Sequence, residues 1–442
     1  MARENALCAL IAGSGCATMA WLGLYGFVWN DYETEAQPAF EALAHGHVLE
    51  FLRLAPAYGG SLVERAPFAL LPGLWGGGDL AVYRMVALPC LLASAALGVW
   101  LVARMRSEGR STLARAVTLA VCVANPITLR ALEMGHPEEL LGACLAVAAV
   151  LSASRGRPLW AGVLLGLAIA NKEWALLALG PVLLTLPARR RLACLASAGV
   201  VLTAVLGPLL AVGSSTFLAQ GRAVAAAPGA LFQPWQLWWF LGAPNHVAPL
   251  APGSAIPMSA ALSTHPQWRL APPWLPGITH SLILAVGLAL AGLLWLRRRR
   301  ETRAGTIGER DALLALALMM LLRCVLDTWD VIYYLLPFVL ALLAWEVGGP
   351  TDRPPLLALS SSALAWVSFQ WLPLHAAPDF QAAFFLAWSV PLIAALGVAL
   401  YRPGRGGLPA AQETTVRPFG RPVSTSPPLS VTSTRSSIRT PS

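Results

Sequence analysis

Lysine is almost missing from this chain. It has 31 basic residues, and all but Lys172 are arginine. Charge of either sign is scarce, since 12% of the 442 residues are Asp, Glu, Lys or Arg, about half of what a soluble domain carries. That scarcity argues against a soluble body. The seven cysteines contain no CxxC pair and fall mostly in apolar stretches, which excludes a disulfide framework and leaves them as small core residues. No second histidine stands at a metal-ligand spacing from His136, so the sequence specifies no zinc site. Tyr58-Gly59-Gly60 and Gly76-Gly77-Gly78 read as turns, and neither is a phosphate-cradling glycine loop. Period-two alternation is absent too, which excludes a membrane β-barrel.

What fills the chain is apolar sequence, 57% hydrophobic with a mean hydropathy of +0.62. Continuous apolar runs of about 20 residues recur, the mark of an all-α polytopic membrane protein. Runs bounded by charge predict about twelve transmembrane or partly spanning helices. They lie near 7–29, 82–103, 113–129, 138–153, 158–170, 174–187, 192–213, 279–296, 311–326, 331–346, 355–372 and 380–400. The first lacks a small-x-small cleavage site and reads as an uncleaved span. Residues 401–442 are rich in Pro, Ser, Thr, Gly and Arg and read as a disordered tail following a membrane domain over 1–400.

Alternating these segments puts Arg104, Arg106, Arg110, Arg115, Arg155, Arg157, Arg189–Arg191, Arg297–Arg300, Arg303, Arg310, Arg353, Arg402 and Arg405 on one side. The other side receives only Arg53, Arg65, Arg84, Arg130, Lys172, Arg222 and Arg269. The first side, with both termini, is therefore predicted to be cytoplasmic. The formal net charge of +9 follows from this bias and implies no nucleic-acid partner. The two longest non-spanning segments, 30–81 and 214–278, fall on the outer face, where function is expected.

Segments 158–170 and 174–187 supply only about 20 Å of helix each, against a hydrocarbon core of about 30 Å. Lys172 lies between them. A lone ammonium at such a break is costly unless paired, and short segments often expose helix ends that hold an ion or an anionic group. The alternative is an interfacial pair with the adjacent Glu173.

The first outer segment opens with Asn30-Asp31-Tyr32-Glu33. An acid just beyond a hydrophobic helix can act as general base on an incoming hydroxyl, and it can equally be a solvated cap. Residues 35–54 read as an interfacial helix. The second segment carries Trp235, Trp238, Trp268 and Trp274, which suit membrane anchoring or stacking on a sugar ring; Asn245 and His246 are further polar candidates. Arg130 either meets a phosphate or neutralises Glu133 three residues on. Glu138 and Glu139 suit a helix start. Arg323, four residues before Asp327, can form a local ion pair or face the predicted cavity, and Asp330 falls on the same outer face.

The block from Asn125-Pro126 through Gly135-His136-Pro137-Glu138, then Ser154-Arg155-Gly156-Arg157-Pro158 to Gly162, Gly166 and Lys172, resembles glycosyltransferase family 87. These polytopic enzymes belong to the C-type superfamily and use polyprenyl-phosphate sugars. The resemblance implies transfer of mannose or arabinofuranose from a lipid monophosphate to a lipid or cell-envelope glycan on the outer face. It implies Asp31 as catalytic base and Lys172 at the carrier phosphate; independently of the resemblance, a phosphate needs cations, which Arg130 and Arg323 can also offer. Glu33, His136, Glu173, Trp235, Trp238, Asn245, His246, Asp327 and Asp330 are the remaining substrate-binding candidates. The family commonly has Gly-Gln where this chain has Gly135-His136. A lipid-linked donor spares the enzyme a nucleotide-binding domain, and single displacement predicts inversion. No cofactor is specified, and assistance by a divalent cation stays open. The competing classes are a secondary transporter and a noncatalytic lipid-binding scaffold; only an enzyme loses turnover, yet keeps donor binding, when Asp31 is neutralised.

Overall fold

Apolar runs with few breakers, placed between short arginine-rich connections, leave the backbone one economical choice, which is to satisfy its own hydrogen bonds as helix. The computed structural model describes residues 2–25, 31–225, 231–244, 268–301 and 306–402 and is almost entirely helical. Residues 1–401 form one compact unit. The region beyond residue 402, where the sequence predicts a tail, lies outside the described residues, as do Asn245 and His246.

The chain opens with α1 (Ala2–Tyr25) and resumes after it with a π-helical turn, Tyr32–Ala36. The outer segment continues with α2 (Gln37–Ala44), α3 (Val48–Leu54) and α4 (Gly59–Ala69). Next come α5 (Asp79–Ser107), α6 (Thr112–Val123), α7 (Pro126–Met134), α8 (Glu138–Ser154) and α9 (Pro158–Asn171). A 3-10 stretch, Glu173–Ala178, leads into α10 (Leu179–Thr185), followed by α11 (Ala188–Ala225). The C-terminal half holds α12 (Pro276–Glu301), α13 (Glu309–Leu326), α14 (Leu336–Val347), α15 (Leu356–Trp366) and α16 (Pro378–Tyr401).

Five helical stretches among the described residues are long and apolar enough to cross a membrane: Asp79–Ser107, Thr112–Met134, Ala188–Gly213, Pro276–Arg300 and Pro378–Tyr401. Shorter apolar helices include Pro158–Asn171, Glu173–Thr185 and Ile332–Val347. The protein is a multi-spanning membrane protein. Its centre is made by α8, α13 and α14, apolar on all sides and buried along nearly their whole length, as expected of helices surrounded by other helices. Small residues permit the closest approach. At Gly166 of α9 a β-carbon would sit 2.8 Å from the Ala198 carbonyl oxygen of α11, so glycine lets the two backbones touch.

Three local expectations change. Residues 35–54 do not form one helix, because the chain breaks at His45–His47 with Gly46 at φ 79°. Gly59-Gly60 is not a turn but the first turn of α4, buried against α9 and α11. Two tryptophans of the second outer segment are tied to the helices, whereas Trp274 is exposed. Trp235 donates to the Ser368 carbonyl at 2.9 Å and stacks on Phe369, while Trp238 donates to the Leu326 carbonyl at 2.7 Å. Three two-residue strands, Leu231–Phe232, Ala243–Pro244 and Arg269–Leu270, close that segment, the last lying antiparallel between the other two.

Candidate functional site

The break predicted at Lys172 is real. The backbone of Lys172 is extended, φ −153° and ψ 133°, between the end of α9 and the 3-10 turn that follows. The flanking residues anchor this break to the start of α8. Asn171 Nδ2 donates to the Glu138 carbonyl at 2.8 Å, and Trp174 Nε1 donates to Glu139 Oε2 at 2.8 Å. Lys172 is 8% exposed. Its ammonium lies 3.3 Å from Glu138 Oε1, 3.5 Å from Glu139 Oε1 and 4.1 Å from the centre of the Tyr58 ring. The alternative, an interfacial pair with Glu173, gives way to this arrangement, because the extended backbone turns the lysine inward while Glu173 is exposed.

Glu138 and Glu139 are 0% and 1% exposed. Their helix-start position is favourable, but burial this deep demands counter-charge. Glu138 receives it from three directions: Lys172, Arg65 of α4 at 3.3 Å and His136 Nδ1 at 2.8 Å. The other face of that imidazole reaches Asp31, with Nε2 3.3 Å from Oδ2. Asp31 and Lys172 are thus joined through His136 and Glu138. Burial works against charging His136, and the Glu138 charge with hydrogen bonds to Asp31 and Glu138 outweighs it, so the imidazole pKa is raised to about 9. The Tyr58 and Tyr333 rings pack against His136 at centroid distances of 5.8 and 5.0 Å. Tyr58 in turn donates to Glu35 at 2.7 Å.

A second cation borders the network. Arg323, 6% exposed, has its guanidinium 4.2 Å from the Tyr334 ring centre and 5.5 Å from that of Trp174. Trp174 therefore links Arg323 to Glu139. Among the described residues Arg323 Nη1 is buried without a hydrogen-bond partner. Of the two readings of Arg323, the local pair with Asp327 is not formed: Asp327 lies 3.5 Å from His280 Nε2. Asp330 is 1% exposed, and among the described residues neither of its carboxylate oxygens meets a side-chain hydrogen-bond partner, although its backbone N–H donates to Gln233 Oε1 at 2.9 Å.

The other candidates stand elsewhere. Arg130 pairs with Glu133 at 3.0 Å. Glu33 lines an open depression of about 590 Å³ together with Gln37, Asp79 and Arg84. The indoles of Trp235 and Trp238 spend their N–H groups on backbone carbonyls. Sequence reasoning missed Arg65, Tyr58 and Tyr333, and it read Glu138 and Glu139 only as helix-start residues. The signal was two adjacent acids opening an apolar run, which can be buried only if cations come to them. Among the described residues no group of three or more His, Cys, Asp or Glu is arranged to hold a metal ion.

The family model described as glycosyltransferase family 87 matches residues 60–326. The chain belongs to this family. No curated protein matches it. The family 87 match contains Arg65, His136, Glu138, Glu139, Lys172 and Arg323, while Asp31 precedes it. The protein is a membrane glycosyltransferase of the C-type class.

Proposed function

We propose that this protein transfers a mannosyl or arabinofuranosyl residue from a polyprenyl-phosphate donor to a lipid or cell-envelope glycan acceptor on the outer face of the cytoplasmic membrane. The observation that carries the reading is the joining of Asp31 and Lys172, distant in sequence, through His136 and Glu138. In this reading the helices cross about twelve times in part or whole, with both termini cytoplasmic. The arginine bias supports that orientation.

Asp31 is the general base. Its carboxyl is about one third exposed, whereas the network behind it is closed, so it can meet an acceptor arriving from solvent. The acceptor oxygen attacks the anomeric carbon and its proton passes to Asp31. The bond between that carbon and the phosphate oxygen breaks, and its electron pair stays on the polyprenyl phosphate. One displacement inverts the anomeric configuration.

The departing phosphate needs cationic hydrogen-bond donors held ready in a dry site. Arg323 suits this best because it has a buried N–H to spare and two aromatic faces that hold the guanidinium plane. Lys172 stays close to the phosphate path as a second cation, with its charge largely answered by Glu138 and Glu139. Asp330 is the candidate for accepting sugar hydroxyls.

The test is transfer from radiolabelled polyprenyl-phosphate mannose and arabinofuranose to membrane acceptors by purified wild type and Asp31→Asn. Transfer that collapses in the folded variant supports both the reaction and the base. Unchanged transfer by Asp31→Asn removes Asp31 from that role. If the wild type transfers neither sugar while moving solute across proteoliposomes, the donor class is wrong for this chain.

A further inference from the structure

His136 has both ring nitrogens against carboxylate oxygens, Nδ1 at 2.8 Å from Glu138 and Nε2 at 3.3 Å from Asp31. An ionised carboxylate only accepts hydrogen bonds, and a neutral imidazole has one donor. The geometry therefore calls for both nitrogens to carry protons. The ring is also immobile. It is 6% exposed and packed by Tyr58 and Tyr333, and its backbone follows Gly135, whose positive φ closes α7. Glu138 is held from behind by Arg65 and Lys172. Asp31 is the one member of the row with substantial exposure, and the described residues offer its carboxylate no other side-chain partner.

We propose that His136 is a positioning residue for Asp31: clamped between two carboxylates, its ring fixes Oδ2 of Asp31 and leaves Oδ1 directed to the acceptor hydroxyl. This rests on the assignment of Asp31 as base. His136 touches neither sugar nor phosphate and keeps both its protons through the reaction, while the acceptor's proton goes to Oδ1. Its effect is on aim, which matters because a displacement of about 1 Å can cost on the order of 10²-fold in rate. The charged groups facing the ring are Asp31 just before the π-helical turn, Glu138 from α8 and Lys172 from the α9 break, with Arg65 of α4 and Glu139 one contact further away. Raising the pH takes one proton from the ring, turns a lone pair toward a carboxylate and releases Asp31.

The experiment compares wild type, His136→Gln and Asp31→Asn. Glutamine, the residue family members commonly carry at this place, fills similar space but presents an amide that donates toward one carboxylate only, so the variant asks what the second protonated nitrogen adds in this chain. Transfer from radiolabelled polyprenyl-phosphate mannose and arabinofuranose is followed across pH, alongside ring ¹⁵N spectra of the histidine-labelled protein in detergent. His136→Gln identifies the His136 signals by their loss. Expected are a His136 ring with both nitrogens protonated at neutral pH, losing a proton near pH 9, and a lower midpoint in Asp31→Asn. In His136→Gln, kcat falls by up to ~100-fold, donor KM changes little, and the alkaline limb of the wild-type profile disappears. A neutral ring at pH 7, a titration unmoved by Asp31→Asn, or wild-type kcat and pH profile in His136→Gln overturns the proposal. A variant that raises donor KM alone also overturns it, since His136 would then be a binding residue. Full activity in Asp31→Asn instead defeats the base assignment, so the two failures are distinct.

Discussion

Gly135 lies directly against Tyr32: a β-carbon on the glycine would sit 2.7 Å from the Tyr32 backbone nitrogen. The same glycine has φ 89° as the residue that ends α7. Two demands therefore meet at one position, a left-handed backbone and contact with the residue beside Asp31. Alanine satisfies neither. Gly135→Ala should cost about 1–3 kcal/mol through backbone strain, seen as a lower unfolding temperature in detergent. Because the added methyl pushes on Tyr32, transfer should fall further than stability explains. A variant with wild-type transfer would show that the Gly135–Tyr32 contact does not place the base.

Lys172 is expected to matter for folding as much as for binding. Removing one member of a buried ion pair leaves the others uncompensated, at a cost of about 3–5 kcal/mol. Lys172→Met should therefore destabilise by that order, since Glu138 and Glu139 are almost fully buried. Adding Glu139→Gln removes one of the stranded charges and should restore part of the loss, with a coupling of about 0.5–3 kcal/mol. Additive effects in thermal or denaturant unfolding would mean that the 3.5 Å pair carries no net interaction.

That the chain is a mostly helical, multi-spanning membrane protein was legible because it depends on composition and on the length of apolar runs. The break at Lys172 was legible for the same reason: 14 residues of α9 and the short 3-10 and α segments after it cannot each span a bilayer as ordinary helices. Asp31 and Lys172 also stood out singly. Their partners did not. Arg65 meets Glu138 through the packing of α4 against the bundle, and no local pattern announces a contact of that kind. Adjacency made Glu173 the alternative partner of Lys172, but neighbours at an extended residue point to opposite sides. Trp235 and Trp238 suited anchoring or sugar stacking by position, and the sequence could not show that their N–H groups find carbonyls of distant helices.

Orientation can be checked without knowing a substrate. Glu33 and Ser107 are both exposed and stand on opposite sides in the proposed arrangement. Six of the seven native cysteines are buried and Cys8 is partly so, so background labelling is small. Glu33→Cys should react with a membrane-impermeant maleimide in intact cells, and Ser107→Cys only after permeabilisation. The reverse pattern would place the site on the cytoplasmic face.

Stability should depend on pH through His136. Its folded pKa is raised to about 9, above an unfolded value near 6.5. Protonation therefore favours the folded state. The contribution is fully present below about pH 6.5 and is lost progressively as pH rises through about 9. Unfolding temperature should fall across that interval in wild type and less steeply in His136→Gln. Equal slopes would mean that the imidazolium adds nothing to the folded state.

Arg323 and Lys172 make opposite predictions for donor binding. Lys172 divides its charge between two glutamates and the Tyr58 ring, so the phosphate can draw little from it without disturbing them. Arg323 retains an unused buried N–H between Trp174 and Tyr334. A hydrogen bond to a charged group contributes about 1.5–3 kcal/mol, so Arg323→Gln should weaken polyprenyl-phosphate binding roughly 10- to 100-fold. Arg323→Lys keeps the charge but loses the planar group that lies on the rings, and should recover only part. Titration of each folded variant with polyprenyl phosphate decides the matter. Unchanged affinity in Arg323→Gln, with a loss in Lys172→Met that exceeds its effect on stability, would return the phosphate to the lysine.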